Sequence, residues 1–86
     1  MTEFSYTIKD KDGIHARPAG LFVQKMQGFK STVLIEKDDG TNADGKKLIA
    51  LMKLRVKCAQ TITVKAEGED EAATVDAAKE FLTANL

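Results

Sequence analysis

The chain reads as an α+β domain: a four-stranded, mainly antiparallel sheet with three helices on one face, in the order β-α-β-β-α-β-α. Three observations predict it. Phe4, Tyr6 and Ile8 alternate with Ser5, Thr7 and Lys9, and Ile62, Val64 and Ala66 alternate with their polar neighbours, the period of strands with one buried face. Between these segments Ala19, Phe22, Val23 and Met26 recur at helical spacing. Strands and helices follow one another over short polar turns, so a single sheet backed by helices satisfies all of them. The 86 residues suffice for one core only, and residues 1–86 are expected to form a single domain.

The elements follow in order. The first strand runs to about Lys9, and Asp10-Lys-Asp-Gly13 is turn chemistry. A helix then begins near His15, with Pro18 confined to its first turn and Gly28 as its stop. Ser31 to Lys37 is rich in β-branched residues, and Asp38-Asp39-Gly40 turns it into a short strand near Thr41 to Ala43. Asp44 is placed to cap a second helix reaching about Leu54, and Thr61 to Ala66 forms the fourth strand. The last helix begins near Asp70, with Ala72, Val75, Ala78, Leu82 and Leu86 on one face and Phe81 beside them.

Composition narrows the function. Thirteen basic side chains balance thirteen acidic ones, which gives no global pull toward nucleic acid or anionic lipid. The balance is local: residues 45–66 carry six basic side chains and no acid, whereas 67–86 carry six acids against Lys79. One Cys and one His are too few for a structural zinc site, and Cys58 cannot form an internal disulfide. A reducing, cytoplasmic setting is expected, with no metal and no cofactor. No signal-like start is present, and Leu48 to Met52, the longest apolar run, is far short of the roughly 20 residues that cross a bilayer.

The chemistry concentrates at Gly13-Ile-His-Ala-Arg-Pro-Ala-Gly20, which holds the only His and the only Pro at a strand-to-helix junction. Free backbone N–H groups converge at a helix start, and its dipole favours an anion there by roughly 0.3–1 kcal/mol. The same field opposes protonation of His15, leaving a neutral imidazole with one free lone pair, a nucleophile for phosphorus. Arg17 supplies a planar fork for phosphoryl oxygens. A lone His at this position can equally be a simple cap, so the residues alone leave both readings open. No Ser-His-Asp set, P-loop or carboxylate pair competes.

Gly13-Ile-His-Ala-Arg-Pro-Ala19 resembles the signature of the HPr family, the histidine-containing phosphocarriers of the bacterial phosphoenolpyruvate-dependent sugar phosphotransferase system, and the similarity of length and element order covers the whole chain. The resemblance implies an open-faced β-sandwich, and a carrier rather than an enzyme. It implies that the ring nitrogen of His15 nearer the backbone accepts phosphate from enzyme I and passes it to sugar-specific IIA proteins. Arg17 would assist, with the backbone amides of Ala16 and Arg17 holding the phosphate. Asp12 stands where the family commonly has a small neutral polar residue, so it either faces solvent in a turn or crowds the phosphoryl group with like charge.

Leu48, Ile49, Leu51 and Met52 are four large apolar side chains in five positions, more than a short helix buries, so at least one should stay exposed unless core and loops absorb them all. The resemblance implies that this helix, with Ala19 and Gly20, forms the docking face for enzyme I and IIA. Lys47 stands where Gram-positive members carry a regulatory serine, which implies that the serine switch is absent. Lys46 and Lys47 oppose the helix dipole, which suits an acidic partner or simply a solvated basic face. Arg55 and Ala59 replace glycines common in the family, so the geometry of that loop is open. Two further readings compete: an HPr-like regulator that binds transcription factors or metabolic enzymes, and a ferredoxin-like nucleic-acid binder, which neutral charge and five aromatics support poorly. A monomer that neither enters membranes nor binds nucleic acid is expected.

Overall fold

The computed structural model describes residues 1–86. Its elements are β1 (Thr2–Thr7), α1 (Ala16–Gln27), β2 (Thr32–Lys37), β3 (Asn42–Asp44), α2 (Leu48–Lys53), β4 (Thr61–Glu67) and α3 (Glu71–Asn85). The sheet order is β1-β4-β2-β3, and every pairing is antiparallel. The expected α+β, open-faced arrangement is therefore present, with the sheet antiparallel throughout.

Register explains the two faces. Phe4 and Tyr6 lie opposite Val64 and Ile62, and Val64 in turn faces Ile35, which faces Ala43. These side chains point toward the helices, where Ile35, Ile62, Val64, Phe22, Met26 and Leu82 are buried. Phe22 of α1 meets Phe81 of α3 with ring centroids 5.7 Å apart and planes tilted by 58°, a favourable offset geometry. The other face is largely polar, Leu34 apart: Ser5 and Thr63 hydroxyls pair at 3.1 Å, Thr7 and Thr61 at 2.9 Å, and Lys65 meets Glu36 at 3.4 Å.

Four boundaries and faces differ from expectation. β1 ends at Thr7, although Ile8 continues the buried alternation. Asp44 does not cap α2. It closes β3, its carboxylate accepts the Lys46 N–H at 2.9 Å, and Gly45 N–H turns back to the Val33 carbonyl, so the helix starts only after Lys47. In α3, Ala72 is exposed and Thr74 takes the inner position, its hydroxyl satisfied by the Asp70 carbonyl at 2.8 Å. Gly28 does end α1, but with φ −75° in the right-handed region. Lysines finish the helices: Lys46 Nζ donates to the Phe29 carbonyl at 2.7 Å and Lys37 Nζ to that of Leu54 at 2.8 Å, where the helix ends favour positive charge.

Asp70 ties the start of α3 to the start of β2. Its carboxylate accepts the Lys30 and Ser31 N–H groups, both at 2.9 Å, and the Ser31 hydroxyl. The Ser31 hydroxyl, then the Lys30 amide, hold its pKa down at about 2. A folded-state value below the unfolded one gives stability that is complete above about pH 4 and lost as pH falls toward 2. Melting temperature measured against pH should therefore drop over that window, and Asp70→Asn should lower it at pH 7 while flattening the acid slope.

Arg55 and Ala59 sit at φ 51° and 72°, left-handed conformations that glycine adopts without a Cβ penalty. The loop after α2 thus keeps a glycine-like path while carrying side chains, at roughly 1 kcal/mol each. Part of that strain is offset because glycine would loosen the unfolded chain. Arg55→Gly or Ala59→Gly should each add about 0.5 kcal/mol, a rise of about 2–4 °C in thermal melts; an unchanged or lower melting temperature would refute the strain.

Candidate functional site

The path from β1 to α1 is held at four points. Ile8 exchanges hydrogen bonds with the loop after α2, its N–H reaching the Gln60 carbonyl at 2.9 Å and its carbonyl accepting the Ala59 N–H at 2.8 Å. Lys9 and Asp10 N–H groups both donate to the Leu86 carbonyl, at 2.6 and 2.8 Å. Asp10 then starts a tight turn, its carboxylate accepting the Asp12 N–H at 2.9 Å and its carbonyl the Gly13 N–H at 2.9 Å. Finally the Ile14 N–H donates to the Val56 carbonyl at 3.0 Å, and the Ile14 side chain is buried. Gly13 has φ 67°, and a Cβ there would collide with that same Val56 carbonyl, so this position needs glycine for both conformation and space.

His15 follows in extended conformation as the N-cap residue of α1, yet its side chain makes no capping hydrogen bond. The cap reading therefore fails for the imidazole, and the N–H groups of Ala16 and Arg17 are left without a side-chain acceptor. Pro18 lies in the first turn and is buried, where its missing N–H costs little. The His15 side chain is 43% exposed, and its Nε2 lies 3.6 Å from Asp10 Oδ2, ion-pair reach but longer than a hydrogen bond. Arg17 is exposed and enters none of the molecule's ion pairs.

Asp10 was not singled out by the sequence. Its carboxyl is held below the usual range chiefly by the Asp12 N–H, with His15 contributing, so it is anionic beside the ring. Asp12 is exposed, as a turn residue would be, but its carboxylate also lies within 4.8 Å of donor atoms of Asp10 and His15. These three groups are close enough to share a cation, although exposed acidic groups commonly gather at surfaces without one.

The residues expected to dock partners divide. Ile49 is 73% exposed and Leu48 40%, Met52 and Gly20 are half-buried, and α1 packs beside α2. Ala19 and Leu51 are fully buried, because they occupy the inner faces of α1 and α2, so they support the surface from beneath and do not offer contacts. Leu21, 50% exposed, is a docking candidate that was missed; it falls off the apolar stripe of α1, which is the signal that would have found it. Lys47, Lys53, Arg55 and Lys57 surround this patch in sequence and are all exposed. Lys46 is instead spent on the Phe29 carbonyl.

None of the surface hollows includes His15; the largest, about 360 Å³, lies between Leu34, Asp44 and Lys65 at the sheet. His15 is thus presented on open surface, outside every hollow of the molecule.

The model of the family described as "PTS HPr component phosphorylation site" matches residues 2–84. The phosphocarrier protein HPr of Mycoplasma genitalium is 38% identical over 85 residues, 99% of this chain and 97% of that protein. The HPr-like protein Crh of Halalkalibacterium halodurans is 40% identical over 82 residues, 95% of this chain and 96% of that protein. Among solved structures, a histidine-containing phosphocarrier protein of Mycoplasma superposes with a TM-score of 0.93 at 29% identity, covering 96% of this chain and 93% of the other. A match across nearly the whole chain, with His15 on open surface at an uncapped helix start, places this protein in the HPr family.

Proposed function

We propose that this chain carries a phosphoryl group on His15 between enzyme I and sugar-specific IIA proteins of the phosphoenolpyruvate-dependent phosphotransferase system. The observation that carries the reading is the exposure of His15 outside any cavity, beside the free amides of Ala16 and Arg17. A carrier must meet two different proteins with one reactive atom, and a buried or pocketed imidazole would serve neither. In transfer, Nδ1 attacks the phosphorus, the donor's P–N bond breaks, and the electron pair returns to the donor. The Arg17 guanidinium and the two amides hold the oxygens of the moving group, which needs no cofactor. Leu21, Leu48, Ile49 and Met52 supply the apolar contact, and Lys47, Lys53 and Arg55 complement an acidic partner.

The identity with Crh supports a second reading, a regulator that binds other proteins. His15 and Arg17 favour the carrier, because a purely binding role requires neither. The protein would act in the cytoplasm, and none of its helices is long and apolar enough to cross a membrane.

Incubation with enzyme I, phosphoenolpyruvate and magnesium should add one acid-labile, alkali-stable phosphoryl group. His15→Ala should lose it, and Arg17→Ala should keep the site but slow transfer about 10- to 100-fold, the worth of a charge-assisted hydrogen bond. Equal labelling of His15→Ala and wild type would overturn the carrier reading. For docking, Ile49→Glu should lower kcat/KM with enzyme I about tenfold or more while shifting the melting temperature little, since the side chain is exposed. Unchanged kinetics would remove Ile49 from the interface.

A further inference from the structure

We propose that Asp10 is a positioning residue for phosphoryl transfer at His15: its carboxylate keeps the proton on Nε2, leaves Nδ1 free to attack, and stabilises the imidazolium that forms. This rests on the reading of His15 as the phosphoryl acceptor and adds to it the group that orients the ring.

The geometry supports the role from several sides. Asp10 Oδ2 is 3.6 Å from Nε2. The carboxylate is not free to wander, because its Oδ1 accepts the Asp12 N–H at 2.9 Å and its own backbone N–H is tied to the Leu86 carbonyl at 2.8 Å. The ring is anchored by its neighbour, Ile14, through the bond to Val56. Two pinned backbone segments thus bring a carboxylate to one ring nitrogen, and no hydrogen bond engages the other. Contacts of this kind are often long in the resting protein and tighten when charge develops.

The chemistry requires such a partner. A neutral imidazole with its proton on Nε2 attacks through the Nδ1 lone pair; the Nδ1–P bond forms, the donor's P–N bond breaks, and the pair leaves with the donor nitrogen. No proton is lost from the ring, which therefore becomes a phosphorylated cation holding its proton on Nε2. An anionic oxygen beside that proton stabilises the cation, as the carboxylate does in a Ser-His-Asp set. In the return step the neutral imidazole is the better leaving group, so the same carboxylate promotes departure of the phosphoryl group. Asp12 adds negative charge nearby, while Lys11, Arg17 and, from the loop against Gly13, Lys57 add positive charge; of these charged groups, Asp10 is the one whose carboxylate comes to 3.6 Å from a ring nitrogen.

Phosphoramidate, a small donor with a P–N bond, allows a test without partner proteins. Wild type, Asp10→Asn and Asp10→Glu would be loaded on His15, and spontaneous dephosphorylation followed by 31P NMR across pH 5 to 9, with transfer from enzyme I measured alongside. Asn keeps the acceptor that closes the turn, so the fold and melting temperature should hold; Asp10→Ser, which can close a similar turn, carries the same test if Asn melts early. The expectation is a phosphoryl-loss profile displaced to lower pH in Asp10→Asn, transfer slowed about 5- to 20-fold, a range set by one partly exposed charge contact, and recovery in Asp10→Glu. Identical profiles and rates in wild type and Asp10→Asn would overturn the proposal. Failure of wild-type His15 to accept phosphate from either donor would instead sink the carrier reading. Loading by phosphoramidate but not by enzyme I would remove only the named partner.

Discussion

The hydrogen bond from the Ile14 N–H to the Val56 carbonyl is the constraint on which the site depends. It joins two irregular segments, the turn that follows β1 and the loop that leaves α2, neither of which has a sheet or helix ladder to hold it. Gly13 lets them approach, since any side chain there would strike the same carbonyl. With that contact made, Ile14 is buried and His15 stands outward as the residue before α1, which packs beside α2. The proposed chemistry and the proposed docking face therefore share a single support.

Local tension accompanies this arrangement. Arg55 and Ala59, on either side of Val56, hold left-handed backbone conformations with full side chains. Lys47 starts α2 with a positive charge where the dipole prefers a negative one, and no side chain caps it. Such departures from local preference, gathered from the start of α2 to the loop around Val56, are of the kind that functional surfaces retain, in keeping with the proposed docking role.

Much of this was legible in the residues. Alternation in β1 and β4 and the stripe of α1 depend on period alone, and the bracket of Gly13, His15, Arg17 and Pro18 announced a helix start with reactive groups. What escaped depends on contacts distant in sequence. Asp44 looked like a helix cap because its type fits, but Gly45 is drawn to Val33 of β2 and the chain spends three more residues before α2 can begin. Ala72 fitted the apolar face of α3, yet the anchoring of Asp70 to Lys30 and Ser31 turns Thr74 inward in its place. Asp10 is an ordinary turn residue in sequence; only the closed turn brings its carboxylate back to a histidine five positions on.

The uncovered side of the sheet has its own meaning. Ser5, Thr7, Thr61 and Thr63 pair across β1 and β4 with their hydroxyls, and Lys65 meets Glu36, so these polar groups already have mates within the chain. Leu34 is the large apolar side chain among the strand residues on this side and is half-buried, so this face gives a partner less to grip than the exposed Leu48 and Ile49 do. For the proposed carrier, encounters then concentrate on the helix side, and a molecule this small can turn from one client to the next without first being peeled off a second foothold.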